Sequence, residues 1–136
     1  MEKLKFLTLI LFFFVAFTRV SGQYDPPATS KVKAMVVYEE KLNTLISKKV
    51  KDTEITYDKN GNILESILYK EGKVTEHFKY QYDANGNKIK EEEYDPNGKL
   101  LETSEYKIEN NLRMEKIVYD SNRKIISRKT YTYTFH

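Results

Sequence analysis

YDANGNKIKEEEYDPNGKL, residues 82–100, states the same local instruction twice. Tyr82-Asp83-Ala84-Asn85-Gly86 is followed, after seven strand-like residues, by Tyr94-Asp95-Pro96-Asn97-Gly98. Each residue of the pentad suits one position of a tight reversal. Asp is favoured at the first position of a type I turn, where its carboxylate accepts a backbone N–H. Proline presets φ near −65° at the second position, and Pro96 stands there. Asn suits the third position, and Gly tolerates the positive φ that closes the turn. A type I turn ended by a left-handed Gly is the three-residue hairpin with a G1 bulge. The stretch therefore predicts strand, hairpin, strand, hairpin.

Outward from this stretch the instruction recurs. Tyrosines stand at 57, 69, 82, 94, 106, 119 and 131, in steps of 12, 13, 12, 12, 13 and 12. That is one strand and one turn per step, and a fixed internal period takes precedence over any local reading. Turn signals follow the tyrosines at Asp58-Lys59-Asn60-Gly61, Lys70-Glu71-Gly72 and Asp120-Ser121-Asn122-Arg123. The expectation is one turn type throughout. The degenerate member is Tyr106-Lys107-Ile108-Glu109-Asn110-Asn111, with Asn111 as the left-handed residue.

The segments between turns alternate with period two. Ile63, Ile67 and Tyr69 share one parity. Val74, Phe78, Tyr80 and Tyr82 share another, opposed by Lys73, Thr75, His77, Lys79 and Gln81. Ile125, Tyr131, Tyr133 and Phe135 form a third stripe, opposed by Arg128, Thr130, Thr132 and Thr134. Alternation with β-branched and aromatic bias predicts strands. Residues 31–38 and 46–57 add two more, although Met35, Leu42, Leu45 and Ile46 leave a short helix open over residues 35–50. The fold expected is all-β: an antiparallel up-and-down meander of about eight strands built from hairpin repeats, as a curled sheet or open barrel. One face should be apolar and Tyr-rich, the other Lys, Glu and Thr.

The units Asp58–Ile63, Asp83–Ile89 and Asp95–Leu100 resemble the YD repeats of the RHS family. Residues 69–74 and 94–100 are also similar to the MORN-variant hairpins of short bacterial proteins. The resemblance covers roughly residues 54–135. It implies hairpin architecture and a bacterial cell-surface context, and a link to carbohydrate binding is often suggested for such repeats. The chain is too short to form the enclosing shell of large RHS proteins, and it lacks the usual Arg after the turn Gly.

The N-terminal region reads differently. Lys3 and Lys5 precede an apolar run over residues 6–17, broken only by Thr8. Twelve residues are too few to span a bilayer, which needs about 20. Val20 and Gly22 then supply the small residues of a signal-peptidase site. Residues 1–22 are expected to be a signal peptide cleaved before Gln23, residues 23–30 a disordered leader, and residues 31–136 the β-hairpin repeat domain. No stable membrane span remains after cleavage. With no Cys after the apolar run, a lipid-modified N-terminus is not expected. The protein should be secreted, periplasmic or on the bacterial cell surface.

Composition narrows the chemistry. The 136 residues carry 23 Lys+Arg and 20 Asp+Glu, a net charge of +3. Removing residues 1–22 takes Lys3, Lys5 and Arg19 from the bases and Glu2 from the acids, leaving +1. So small an excess gives no basic face for phosphate contacts, and no nucleic-acid partner is expected. Cys is absent, which excludes disulfides, thiolate metal sites and a cysteine nucleophile.

Few residues invite catalysis. His77 and His136 are read as solvated side chains, and neither completes a nucleophilic triad. Glu91-Glu92-Glu93 is read as a solvated charge cluster blunting a sheet edge. On a strand it would put Glu91 and Glu93 on one face and Glu92 on the other. Asp58-Lys59-Asn60-Gly61-Asn62 resembles a Ca²⁺ loop superficially, but Gly stands fourth, as a hairpin requires, rather than sixth. No cofactor and no metal are expected.

The 11 tyrosines are the remaining signal. Tyr80, Tyr82, Tyr106, Tyr131 and Tyr133 are the candidate ligand-binding residues, since aromatic rings stack on sugar faces and partner surfaces at low conformational cost. The same rings could simply build the hydrophobic face of the sheet. The leading expectation is an exported, non-catalytic binding protein whose partner is a carbohydrate, another cell-envelope component or an envelope protein. The alternatives are a secreted enzyme inhibitor or enzyme with an unidentified site, and a structural envelope protein that self-assembles through its edge strands.

Overall fold

The computed structural model describes residues 31–41 and 47–136. The expected signal peptide, the leader and the middle of the possible helix lie outside the described residues. Eight strands follow in order: β1 (Ala34–Lys41), β2 (Lys48–Tyr57), β3 (Ile63–Lys70), β4 (Lys73–Tyr82), β5 (Lys88–Tyr94), β6 (Leu100–Glu109), β7 (Leu112–Asp120) and β8 (Ile125–Thr130). They form one antiparallel sheet in the order β1 to β8, an up-and-down meander. Residues 35–41 and 48–50 are strand, so the helical alternative fails at both of its described ends. Among the described residues there is no helix long and apolar enough to cross a membrane. Each strand touches only its sequence neighbours, so the sheet is open rather than a closed barrel.

The Asp turns form as the residue chemistry requires. Gly61, Gly86 and Gly98 have φ of +87°, +83° and +83°, and Arg123 holds the same left-handed slot at +66°. At the first of these turns the Gly61 N–H donates to the Asp58 carbonyl, and the Asp58 N–H donates to the Asn62 carbonyl. Asp58 Oδ1 also accepts the N–H groups of Asn60 and Asn62 at 2.8 and 2.9 Å. Asp83, Asp95 and Asp120 repeat this pattern. One carboxylate thereby satisfies two backbone donors that the bulge leaves without a ladder partner.

Two turns are of another kind. Glu71 and Gly72 have φ of +54° and +79°, and Asn110 and Asn111 have +51° and +60°. Two consecutive left-handed residues make the two-residue type I′ hairpin. The expectation of one turn type is corrected here. With no Asp at the first position, the reversal tightens to two residues, and Asn110 is left-handed beside Asn111.

Every neighbouring strand pair carries one register shift. The unpaired residues are Asp52, Leu64, Thr75, Ile89, Leu101, Met114 and Ile126. Each is a β-bulge, near the start of its strand except for Asp52 in the middle of β2, and a bulge bends the strand and re-aims the side chain beside it. Plain alternation therefore breaks. Val74 pairs with Tyr69, and Ile125 pairs with Tyr119, so neither belongs to the stripe that alternation assigned it.

Paired residues share a face, which allows the two faces to be followed across the sheet. One row of the front face reads Ile55, Ser66, Phe78, Glu93, Glu102, Asp120; the next reads Tyr80, Glu91, Ser104, Val118, Ser127. A back row reads Thr56, Glu65, Lys79, Glu92, Thr103, Tyr119. The expected division into an apolar face and a polar face is corrected: both are mixed. Tyr57, Tyr82, Tyr106 and Tyr131 lie in front, Tyr69, Tyr94 and Tyr119 behind. Equivalent positions of successive strands face opposite ways, so one repeated residue type decorates both sides.

With no second layer among the described residues, the enclosed positions lie within the sheet surface. Tyr57, Tyr106 and Val118 are the buried hydrophobics, and Thr103 on β6 is the most enclosed residue at 2% exposure. Its cross-strand partners are Glu92 on β5 and Tyr119 on β7. Cross-strand pairs supply the cohesion. Tyr69 Oη donates to Glu54, and the His77 ring stacks on Tyr94 at 5.0 Å. Pairs of this kind contribute about 0.2–1 kcal/mol each.

Candidate functional site

A shallow cleft of about 300 Å³ opens at one end of the front face. Asn87 and Lys88 enter it from the start of β5 and Ile108 from the end of β6. Asn111 and Arg113 come from the β6–β7 hairpin and the start of β7. Tyr131 and Tyr133 come from the segment that continues β8. The Tyr131 N–H donates to the Met114 carbonyl at 3.0 Å, which holds this segment along β7. Tyr133 Oη donates to the Arg113 carbonyl at 2.6 Å and closes one side.

Bulges place the two cations. By alternation Lys88 would share the back face with Lys90 and Glu92. The bulge at Ile89 turns it forward, where its Nζ lies 5.0 Å from the Tyr80 ring centre and 5.5 Å from that of Tyr106. The bulge at Met114 does the same for Arg113, whose guanidinium lies 4.2 Å over Tyr106 and 5.9 Å from Tyr131. Lys116 approaches Tyr106 as well, at 5.4 Å. Three cations thus converge on one buried ring. Lys88 is paired with Glu91. Arg113 Nε is enclosed without a hydrogen-bond partner among the described residues.

The hairpin ends add amides. Asn85 Nδ2 and Asn87 Nδ2 both donate to Asn111 Oδ1, at 3.3 and 3.1 Å. Burial pushes the Tyr106 hydroxyl above its ordinary pKa, so the phenol stays neutral under the cations. The arrangement offers aromatic faces, fixed amides and cationic donors, a set that suits a hydroxyl-rich or anionic ligand.

All five tyrosines singled out from sequence lie on the front face. Tyr131 and Tyr133 line the cleft, and Tyr106 lies outside its lining, against the guanidinium of Arg113. Tyr80 is set back, within 3.3 Å of Ser66 Oγ. Tyr82 is outside the cleft, and burial, together with Tyr80, Asp58 and Glu91, pushes its hydroxyl pKa up to about 12. Lys88, Arg113, Asn87 and Asn111 were not legible as site residues. The double left-handed Asn turn was their only sequence signal.

Two other expectations need correction. His77 is not a solvated side chain: its Nε2 lies 2.7 Å from Glu65 Oε1 and its ring packs on Tyr94. Glu91-Glu92-Glu93 does not blunt an edge, because β5 is an interior strand. The expected split does hold. Glu91 and Glu93 border a front groove of 110 Å³ with Glu102, Ser104, Lys116 and Val118, while Glu92 faces back to Lys90 and Tyr94. Among the described residues no group of three or more His, Cys, Asp or Glu is placed to hold a metal.

No protein-family model, curated protein or solved structure matches the chain.

Proposed function

We propose that this is an exported, non-catalytic β-repeat protein that binds a cell-envelope polysaccharide through the cleft between Asn87 and Tyr133. The observation that carries the reading is the cleft's composition. Tyr131 and Tyr133 offer aromatic surface, Asn87 and Asn111 offer amides, and Lys88 and Arg113 offer positive charge, all around one 300 Å³ concavity. Sugar rings stack their C–H faces on aromatic rings and spend their hydroxyls on amides and guanidinium groups. The cationic pair favours an acidic sugar over a neutral one. The YD-repeat resemblance of residues 54–135 points to the same envelope context, and the basic and apolar pattern of residues 1–22 supports export.

A glycan array spanning neutral and uronic-acid oligosaccharides tests the reading. Binding should favour acidic glycans and fall at least tenfold in Tyr131→Ala. Asn111→Gly, which keeps the left-handed turn and removes the amide, should weaken binding while leaving the fold intact. A chain that binds no glycan, or binds one equally well without Tyr131, refutes the assignment.

A further inference from the structure

The two edges of the sheet are unlike, and they match each other. β1 presents Met35-Val36-Val37-Tyr38-Glu39-Glu40, with Val36, Val37 and Tyr38 exposed at 40%, 38% and 51%. The far edge presents Arg128-Lys129-Thr130-Tyr131-Thr132-Tyr133. One edge is acidic beside an apolar triplet; the other is basic beside two tyrosines. Neither strand has a partner on its outer side among the described residues.

Three independent constraints select one alignment. The first is direction. In an antiparallel meander of eight strands, β8 runs opposite to β1. A second copy in the same orientation, displaced along the sheet, therefore offers a β1 antiparallel to β8, the relation every internal pair already has.

The second constraint is charge. Setting Glu39 opposite Lys129 puts Glu40 opposite Arg128. It also aligns Val37 with Tyr131 and Met35 with Tyr133. Lys129 is exposed, and Arg128 is paired within its own chain to Glu115 at 2.8 Å but remains 55% exposed at its side chain.

The third constraint is backbone polarity and face, which charge does not set. The Tyr57 N–H donates to the Lys33 carbonyl, so Lys33, and by alternation Met35 and Val37, bond inward to β2. Ala34, Val36, Tyr38 and Glu40 then direct their amides outward. The Tyr131 N–H donates inward to Met114, which leaves Arg128, Thr130, Thr132 and Thr134 directed outward. The charge-matched alignment pairs Tyr38 with Thr130 and Val36 with Thr132, outward groups with outward groups. It also brings front-face Val37 to front-face Tyr131. A slip of one residue would violate both conditions.

We infer that copies of this chain add head to tail, β1 of one pairing with β8 and its continuation in the next over residues 34–41 and 127–134. This goes beyond the glycan reading and does not depend on it. The contact is heterologous, so it propagates instead of closing into a two-fold dimer. The sheet carries no prolines on these edges to prevent it.

Sedimentation velocity of the full chain over a concentration series tests the inference. The mass should rise past that of a dimer and fall as salt is added, because the matched charges are exposed. Glu39→Lys with Glu40→Lys should weaken assembly at least tenfold, as should Arg128→Glu with Lys129→Glu. Mixing the two double variants should restore it, since each then meets an opposite edge; this rescue also shows that both are folded. Val36→Pro removes an outward N–H that no internal bond uses, and it should leave a monomer. A chain that stays monomeric throughout, a mass that stops at the dimer, or assembly indifferent to both charge reversals would overturn the inference.

Discussion

Arg123 holds a position that its three sister turns give to glycine, and the pair Arg123→Ala and Arg123→Gly isolates what that costs. Its φ is +66°, where a Cβ crowds the following carbonyl at roughly 1–2 kcal/mol. The native side chain offsets part of this. Its Nη1 lies 3.0 Å from Glu105 Oε1, and its guanidinium sits 4.5 Å over the Tyr119 ring. The side chain is 59% exposed, so the ion pair is worth about 0.2–1 kcal/mol after screening. The ring contact adds about 0.5–1 kcal/mol. Arg123→Ala forfeits both contacts and keeps the strain, and should lose about 1–1.5 kcal/mol. Arg123→Gly forfeits the contacts and relieves the strain, less about 0.4–1 kcal/mol for the freer unfolded chain. It should therefore lie about 0.5–1 kcal/mol above Arg123→Ala in stability and close to the native protein. Gly98→Ala is the mirror experiment. A Cβ there meets nothing within 4 Å and φ is +83°, so only strain acts, and the variant should lose about 0.5–1 kcal/mol. Urea midpoints at constant m give the differences directly; with m near 1.5 kcal/mol/M they amount to about 0.3–0.7 M. If Arg123→Ala were as stable as Arg123→Gly, the left-handed strain assigned to this turn would be absent and the reasoning would fail.

Three more expectations concern pH and processing. Asp83 and Asp95 are held below the usual carboxylate range, chiefly by the Asn87 side chain and by the Lys99 N–H respectively; at Asp58 burial pushes upward but the Asn62 and backbone bonds outweigh it. Their stabilisation is complete above about pH 4 and is lost as pH falls through the depressed values, so acid unfolding monitored by circular dichroism should lose part of its amplitude below pH 4 in Asp83→Asn. Burial raises Tyr80, Tyr82 and Tyr106, with Tyr82 near 12, so stability should hold to about pH 10 and fall as pH rises through 12. Phenolate absorbance should show Tyr82 titrating late, near 12, and a single unshifted transition would contradict its burial. Intact mass of the exported protein should correspond to a chain beginning at Gln23; a full-length product retained in the membrane would refute cleavage.

Residue types alone set where the chain reverses. An Asp-x-Asn tripeptide followed by Gly, or by Arg123 in the last turn, closes on itself through local bonds, so Asp58, Asp83, Asp95 and Asp120 needed no distant partner to be read correctly. Strand number, order and antiparallel pairing followed, because a hairpin forces its two arms together. Tyr80, Tyr82, Tyr106, Tyr131 and Tyr133 could be singled out as aromatic rings able to stack, and period-two alternation within each strand placed Tyr80 with Tyr82 and Tyr131 with Tyr133. The facing of side chains depends on two strands at once. A bulge is a mismatch between neighbours, and nothing within Lys88-Ile89 or Arg113-Met114 alone announces it. Yet those bulges carry Lys88 and Arg113 from the back face to the front and set them over Tyr106. The exchange of faces along the tyrosine series, the inward packing of His77 on Tyr94, and the meeting of Asn87 with Asn111 across 24 residues arise in the same way. Turn chemistry is local and is written in residue types; facing is a property of paired strands and exists only once the sheet has formed.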